Sequence, residues 1–220
     1  MRAEARPPRR RWPWVIVVGI LIAATVAGAL WFTSQNRDGT AQPTSEPASS
    51  SAPVAAEPTG CLVPGQDLQM LLDTQKQAPH TRTGAVEFAA ALLRWFHQHP
   101  NPSIEDGTTA QSSIIASSSS GDIVASIRNT PNSSNGLVPN DIDYHLSTVI
   151  SRYLMESYTD AEATVTVNGV VYVNGAINPQ LVLGTTYTVT WEQDAWRLST
   201  VSTPEPGRLA VAGKPFTAGC

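Results

Sequence analysis

The sequence predicts an α+β body carried behind one N-terminal hydrophobic span and a tether. Three observations lead there. Five arginines in "MRAEARPPRRR" precede the uncharged stretch "WVIVVGILIAATVAGALWF". A segment dominated by Pro, Ser, Thr and Ala then runs to the first of two cysteines, Cys61. Beyond it, helical periodicity comes first and segments rich in Val, Thr, Tyr and Trp follow from Tyr144 onward. Helices first and strands after is the order of an α+β body, with helices packed on one face of a curved antiparallel sheet of about four strands.

Residues 14–32 read as a transmembrane helix. About 19 residues at 1.5 Å rise cover about 28 Å, close to the hydrocarbon thickness of a bilayer. Trp12, Trp14, Trp31 and Phe32 bracket the span as aromatics do at lipid headgroups. The arginine-rich tip, residues 1–13, is then cytoplasmic by the positive-inside rule, and the rest of the chain lies outside the cell membrane. The basic tip suits anionic lipid. The competing reading is a cleaved signal peptide with "AGA" (Ala27–Ala29) at its cleavage site. Against it, the apolar run continues through Leu30, Trp31 and Phe32.

Residues 33–60 offer one large apolar side chain, Val54, to any core, and therefore read as a disordered linker. The folded, extracytoplasmic domain is expected over 61–220, with Cys61 and Cys220 as its first and last residues. Thiols oxidise outside the cytoplasm and domain termini often lie close together, so a Cys61–Cys220 disulfide is expected. Two free thiols or an intermolecular bridge are the alternatives. From Cys61 onward the chain has eight Lys or Arg against fourteen Asp or Glu, a balance that argues against nucleic acid as ligand.

Within the body, "TGAVEFAAALLRWFHQHP" is the clearest helix. Ala85, Phe88, Ala89, Leu92 and Phe96 recur at helical spacing, Thr83 is the expected N-cap, Glu87 suits a first turn and Pro100 ends the run. "SIEDGTTAQSSIIASSS" and "GDIVASIRN" read as weaker helices, and "NTPNSSNGLVPND" as a loop. The strands are "YHLSTVISRYLMES", "EATVTVNGVVYV", "QLVLGTTYTVTWEQ" and "AWRLSTVST", joined by turns at "YTDAE", "NGAINP" and "EQDA". The first of these also fits a helix, although its β-branched run favours a strand.

The succession of arginine-rich tip, span, tether and helix-then-meander body resembles bitopic bacterial envelope proteins whose extracytoplasmic domains have the nuclear transport factor 2-like fold. The pattern "CLVPG…APHTRTGAVEFAAALLRWFHQHPNPS…YLMES…PFTAGC" is similar to actinobacterial single-span proteins, some of them associated with conjugative elements. A strand ending in Trp191, the turn "EQDA" and Trp196 opening the next strand look like the last hairpin of that fold. The resemblance implies a cone-shaped ectodomain. It implies a non-catalytic scaffold in conjugation or type IV secretion (the TcpC type), or an accessory role in lipid-importing envelope systems. Partners would be other envelope or secretion-machinery proteins, and an oligomer is compatible with such a role. "NPQL" (Asn178–Leu181) keeps two residues of the Asn-Pro-x-Gly turn of the secretion family and lacks its glycine.

No nucleophile elbow, phosphate loop or zincin motif occurs, so no catalytic residue, cofactor or metal is assigned. His97 and His99 are two apart and do not match metal spacing; a helix C-terminus suits them electrostatically. Asp141 and Asp143 read as a solvated turn and strand start rather than paired acids. Since the cone fold also hosts enzymes, the alternative function is a small-ligand-binding or enzymatic domain. Its pocket would draw on His145, Tyr153 and Tyr187, aromatics that serve a core equally well.

Overall fold

A computed structural model describes residues 56–220. The tip, the span and the tether through residue 55 lie outside the described residues. Among the described residues no helix is long and apolar enough to cross a membrane.

The chain makes helices α1 (Leu68–Gln77), α2 (Arg82–Phe96), α3 (Ile104–Ile114) and α4 (Ile123–Asn129), and a short α5 (Arg208–Ala212) near its end. The strands are β1 (Gln98–His99), β2 (Tyr144–Ser147), β3 (Arg152–Tyr158), β4 (Glu162–Val173), β5 (Ala176–Glu192), β6 (Ala195–Ser202) and β7 (Lys214–Pro215). They form one antiparallel sheet that curls into a half-barrel with the helices on it, so the body is α+β as expected.

Strand β4 organises the sheet. One of its edges pairs along its length with β5, which continues into β6. Its other edge is shared end to end by β2, opposite Val170–Val173, and β3, opposite Ala163–Val167. The count of about four strands is therefore corrected to seven, two of them only two residues long. The extra division falls inside "YHLSTVISRYLMES", where the chain turns at Thr148–Ser151 and Ile150 takes φ 58°. The hairpins close on tight turns with positive φ at Asn174–Gly175 and at Gln193–Asp194, the latter setting Trp191 opposite Trp196. "NGAINP" is a turn only at its first two residues, because β5 begins at Ala176.

Helix α2 lies against the concave face. Its Phe88, Leu92, Leu93 and Trp95 are fully buried with Leu146, Val165, Val167 and Val189 of the sheet. Each such side chain contributes about 1.5–3 kcal/mol of transfer free energy before ordering entropy is subtracted. The helix starts one residue before Thr83, and its N-cap is Thr81, whose hydroxyl accepts from Gly84 N at 3.2 Å. Thr83 instead donates to the Ala56 carbonyl at 2.7 Å. Helix α1, which the sequence reading did not anticipate, is capped by Asp67 and buries Met70 and Leu71.

The start at Thr81 puts Glu87 in the second turn, facing inward and buried. Its carboxylate accepts from the backbone N–H groups of Thr59, Gly60 and Leu62 and from the Thr59 hydroxyl. Arg94, two turns further along the same face, donates to the carbonyls of Gly65 (2.7 Å) and Val63 (2.9 Å) and to Cys220 Sγ (3.0 Å). Burial pulls the Arg94 guanidinium down to about 10, with the Glu87 charge opposing, so it remains charged at neutral pH.

The segment these two side chains hold is disulfide-bonded. Cys61 and Cys220 are linked, with Cα atoms 5.4 Å apart. Cys220 fills the break between β2 and β3: Thr148 N donates to its carbonyl at 2.8 Å, and its own N–H donates to the Thr148 hydroxyl at 3.0 Å. Gly60 has φ 76°, and a Cβ there would stand 2.6 Å from the Phe216 ring. Folded structure thus begins before residue 61, and the expected linker boundary at Gly60 moves N-terminally. Glu57 accepts from the Tyr153 hydroxyl at 2.8 Å, and the Pro58 carbonyl from Thr217 N at 3.1 Å.

Replacing Glu87 by Gln leaves amide hydrogens facing backbone donors in a buried site. The E87Q variant is expected to lose about 3 kcal/mol of stability in urea unfolding with the disulfide intact. A loss below about 1 kcal/mol would show that the carboxylate does not hold the entry segment.

Candidate functional site

The half-barrel is not filled at the end away from the disulfide. Between α3, α4 and the concave side of β5 and β6 lies a half-open cavity of about 410 Å³. Its walls are mainly apolar: Phe96 from the end of α2, Ile115 after α3, Ile123 and Ile127 from α4, and Leu198 from β6. Each is there for a local reason. Helix α4 is anchored by Asp122, whose side chain accepts from Ala125 N at 2.8 Å, and it packs on α3 where Gly107 leaves room for Ile127. The α3–α4 connection is pinned to the sheet by Ala116 N donating to the Leu198 carbonyl at 2.9 Å and Ser119 Oγ to the Ser199 carbonyl at 2.6 Å.

Two titratable side chains line this cavity, Tyr187 and His97, apart from the exposed Asp122. Tyr187 alternates inward on β5 with Thr185 and Val189 and is 1% exposed. Its hydroxyl has no hydrogen-bond partner among the described residues. Burial pushes the phenol well above its ordinary range; the Thr185 hydroxyl offsets part of that rise without making a bond of normal geometry.

His97 is the C-cap of α2. Its Nδ1 is 2.9 Å from the Ser133 carbonyl, an acceptor, so Nδ1 carries the proton. Nε2 then accepts from the Thr185 hydroxyl at 3.1 Å. Burial holds the imidazole below its ordinary value, the Ser133 bond opposing, and keeps it neutral.

The three candidate pocket residues are not brought together. Tyr187 lines the cavity just described. Tyr153 lies beside α2 and β7, where its ring packs on Phe216 at 5.2 Å and its hydroxyl is held by Glu57. His145 is on β2 in a shallow cleft, stacked on Tyr172 at 4.6 Å. His97, assigned to a helix end, is the residue that joins Tyr187 at the cavity, through Thr185. Its position at the end of α2, the helix that crosses the concave face, is the one sequence signal that pointed there. His99 follows in β1, and Asp141 and Asp143 are exposed ahead of β2. Among the described residues no group of three or more His, Cys, Asp or Glu is placed to hold a metal ion.

Comparison with known proteins finds no matching family model, no matching curated protein and no matching solved structure.

Burial holds His97 and His145 below the ordinary histidine value of 6.5, so the unfolded chain takes up protons first on acidification. Their contribution to stability is whole above about pH 6.5 and is lost as the pH falls through that value toward the lower folded ones. Thermal melts from pH 7.5 to 5 are expected to show stability falling with acidity. Replacing His97 by Gln should flatten that fall by up to about 1.4 kcal/mol per pH unit. An unchanged slope would mean that His97 titrates as freely folded as unfolded.

Proposed function

We propose that the folded body is a small-ligand-binding domain, displayed outside the cell membrane by the N-terminal span and tether. One observation carries this reading: the cavity at the helix–sheet junction has a volume within the range of small-molecule sites, with an apolar wall of Phe96, Ile115, Ile123, Ile127 and Leu198 and hydroxyl and amide side chains such as Ser126, Thr130 and Asn135 around it. Phe88, Leu92, Leu93 and Trp95 of α2 fill the space over the middle of the sheet. The hydroxyl that donates to His97 Nε2 belongs to Thr185, which does not line the cavity, and His97 Nδ1 is held by a backbone carbonyl rather than a carboxylate, so binding is the reading the geometry supports. The fluorescent apolar amine N-phenyl-1-naphthylamine should bind the purified domain saturably at one site. Ser126→Trp, which places a large ring from the exposed side of α4 into the cavity, should weaken it at least about tenfold. Equal binding by parent and S126W would locate the dye elsewhere and remove the support for a ligand site.

A second reading, a protein-interaction role in a secretion, conjugation or transport assembly, has its own observation. At the β5–β6 turn the exposed His80 stacks on the half-buried Trp191 at 4.1 Å, and Arg82 lies 5.0 Å over the Tyr158 ring. Partly exposed aromatics with a cation are the composition of interface hot spots. Gln193→Cys, at the exposed turn beside Trp191, gives a handle for a membrane-impermeant bifunctional maleimide on intact cells. Labelling with an adduct to a second envelope protein is expected. Labelling without an adduct would refute the interaction, and no labelling would refute the extracytoplasmic location.

A further inference from the structure

Arg94 is buried, and every acceptor it reaches is uncharged. Nη1 donates to the Gly65 carbonyl at 2.7 Å and to Cys220 Sγ at 3.0 Å, and Nη2 to the Val63 carbonyl at 2.9 Å. Two of these bonds satisfy the irregular entry segment. The third is of a different kind. A disulfide sulfur is a weak, neutral acceptor and offers a desolvated guanidinium little. A thiolate in the same place would accept a charge-assisted bond, about twice as strong as a neutral one. Glu87, the other buried charge on this face of α2, opposes a thiolate, but its two oxygens are already occupied by donors of the entry segment. Arg94 is therefore better matched to Cys220 with its sulfur reduced than with its sulfur bonded.

Nothing equivalent serves Cys61. Its N–H donates to the Thr59 hydroxyl at 3.0 Å, and among the described residues no donor is placed at its sulfur. The two sulfurs thus differ as leaving groups, because the one whose thiolate is stabilised departs more readily. Both cysteines are half-buried, so the bond does not lie in the core.

Opening the bond would also leave its ends in place. Cys220 N donates to the Thr148 hydroxyl at 3.0 Å, and its carbonyl accepts from Thr148 N at 2.8 Å and from the Ser147 hydroxyl at 2.6 Å. Gly219 N donates to the Thr59 carbonyl at 2.7 Å. On the facing side Glu87 holds the amides of Thr59, Gly60 and Leu62. None of these bonds involves a sulfur, so the two thiols stay neighbours and the link re-forms without a search by the chain.

We infer that Cys61–Cys220 is a thiol–disulfide exchange site for a dithiol, in which the attacking thiolate bonds to Cys61 Sγ and Cys220 Sγ leaves with the electron pair as a thiolate held by Arg94. The second thiol of the dithiol then attacks the dithiol's first sulfur in the mixed disulfide. Cys61 leaves as a thiolate and takes up the proton that the second thiol gives up. Two electrons pass to the protein, and the dithiol becomes a disulfide.

The unmodified protein tests this. Glutathione, a monothiol that stops at the mixed disulfide, is followed by N-ethylmaleimide and peptide mass mapping. The expected product carries glutathione on Cys61 and maleimide on Cys220, by about ten to one over the reverse. An even or reversed partition overturns the inference, and so does a bond that opens only in urea. In a second measurement the phosphine-reduced protein is pulsed with iodoacetamide from about pH 6 to 9.5. Cys220 alkylation should reach half its plateau about one unit below the ordinary cysteine value of about 8.5, and Cys61 alkylation near that value. Arg94→Gln should raise the Cys220 midpoint to that of Cys61, whereas Arg94→Lys, which keeps the charge, should leave it low. Coincident midpoints in the parent overturn the role of Arg94, as does a Cys220 midpoint that stays low in R94Q or rises equally in R94K.

Discussion

One helix face reads the backbone of an irregular segment, and the rest of the body is arranged around that contact. Glu87 collects the amide hydrogens of Thr59, Gly60 and Leu62 while Arg94 collects the carbonyls of Val63 and Gly65. A segment without regular structure has no ladder to satisfy its polar groups, and burying it unpaired would cost a few kcal/mol per group. Two opposite charges seven residues apart on one helix solve both halves of the problem and partly compensate each other. With the entry segment fixed, Cys61 meets Cys220, and Cys220 at the end of the C-terminal segment fills the break between β2 and β3. The covalent link closes a separation of 159 residues, worth up to about 5 kcal/mol in the chain-entropy model. The link and the two charged side chains act on the same few residues, so their contributions are coupled and do not add.

This arrangement divides the molecule functionally. On the β2–β3 side of β4, the N-terminal end of the described chain, the C-terminal segment, the disulfide and the inner face of α2 are tied together by hydrogen bonds from Glu87, Arg94 and Thr148. On the β5–β6 side, the sheet is roofed by α3 and α4, which are short and are attached by a few connections such as Gln111 Nε2 to the Gly121 carbonyl at 2.8 Å and Ser117 N to Glu192 at 3.0 Å. Stability is concentrated at one end, which leaves the other free to stay incompletely packed.

What the sequence made legible follows from how local each signal is. The disulfide was legible because the two cysteines stand at the two ends of the expected body and the compartment expected for it favours oxidation. Helix α2 and the Trp191–Trp196 hairpin were legible from periodicity and turn chemistry within one window. The interruption at Thr148–Ser151 was not, because it is imposed from 72 residues away, where Cys220 supplies the hydrogen bonds that β-pairing would otherwise make. Glu87 looked like an N-terminal charge on a helix dipole; its role depends on a segment 25–28 residues earlier folding back over it. The candidate pocket failed for a related reason. His145, Tyr153 and Tyr187 are all aromatic and all in the sheet, but strand alternation and the split of β2 from β3 send them to three different surroundings. Only Tyr187 reaches the cavity, and its neighbours there come from α2, α4 and the loop after it, segments whose approach no single window encodes.

The polar groups of the interior are not all paired, and where they stay unpaired is set by local geometry. Much of the interior is reconciled across long sequence distances: Gln75 reaches the Trp196 and Ser113 carbonyls, the Trp196 indole finds the Pro79 carbonyl at 2.9 Å, and Thr148 bonds Gly60 at 2.8 Å, whereas Arg94 Nε, His99 Nδ1 and Arg197 Nε stay without a partner among the described residues, as the Tyr187 hydroxyl does. A fold able to satisfy those groups across large sequence distances could satisfy a phenol by placing it one turn nearer a carbonyl, or could dispense with it by using phenylalanine. Leaving the Tyr187 hydroxyl unpaired costs about 1–3 kcal/mol, a large share of the net stability of a domain this size. The same holds on a smaller scale for Asn101 Oδ1, whose partner amide nitrogen is bonded while the oxygen is not. Both positions follow from local geometry: strand alternation turns Tyr187 inward between Thr185 and Val189, and the bond from Asn101 Nδ2 to the Thr130 carbonyl fixes the amide, so each oxygen is closed off by the packing around it.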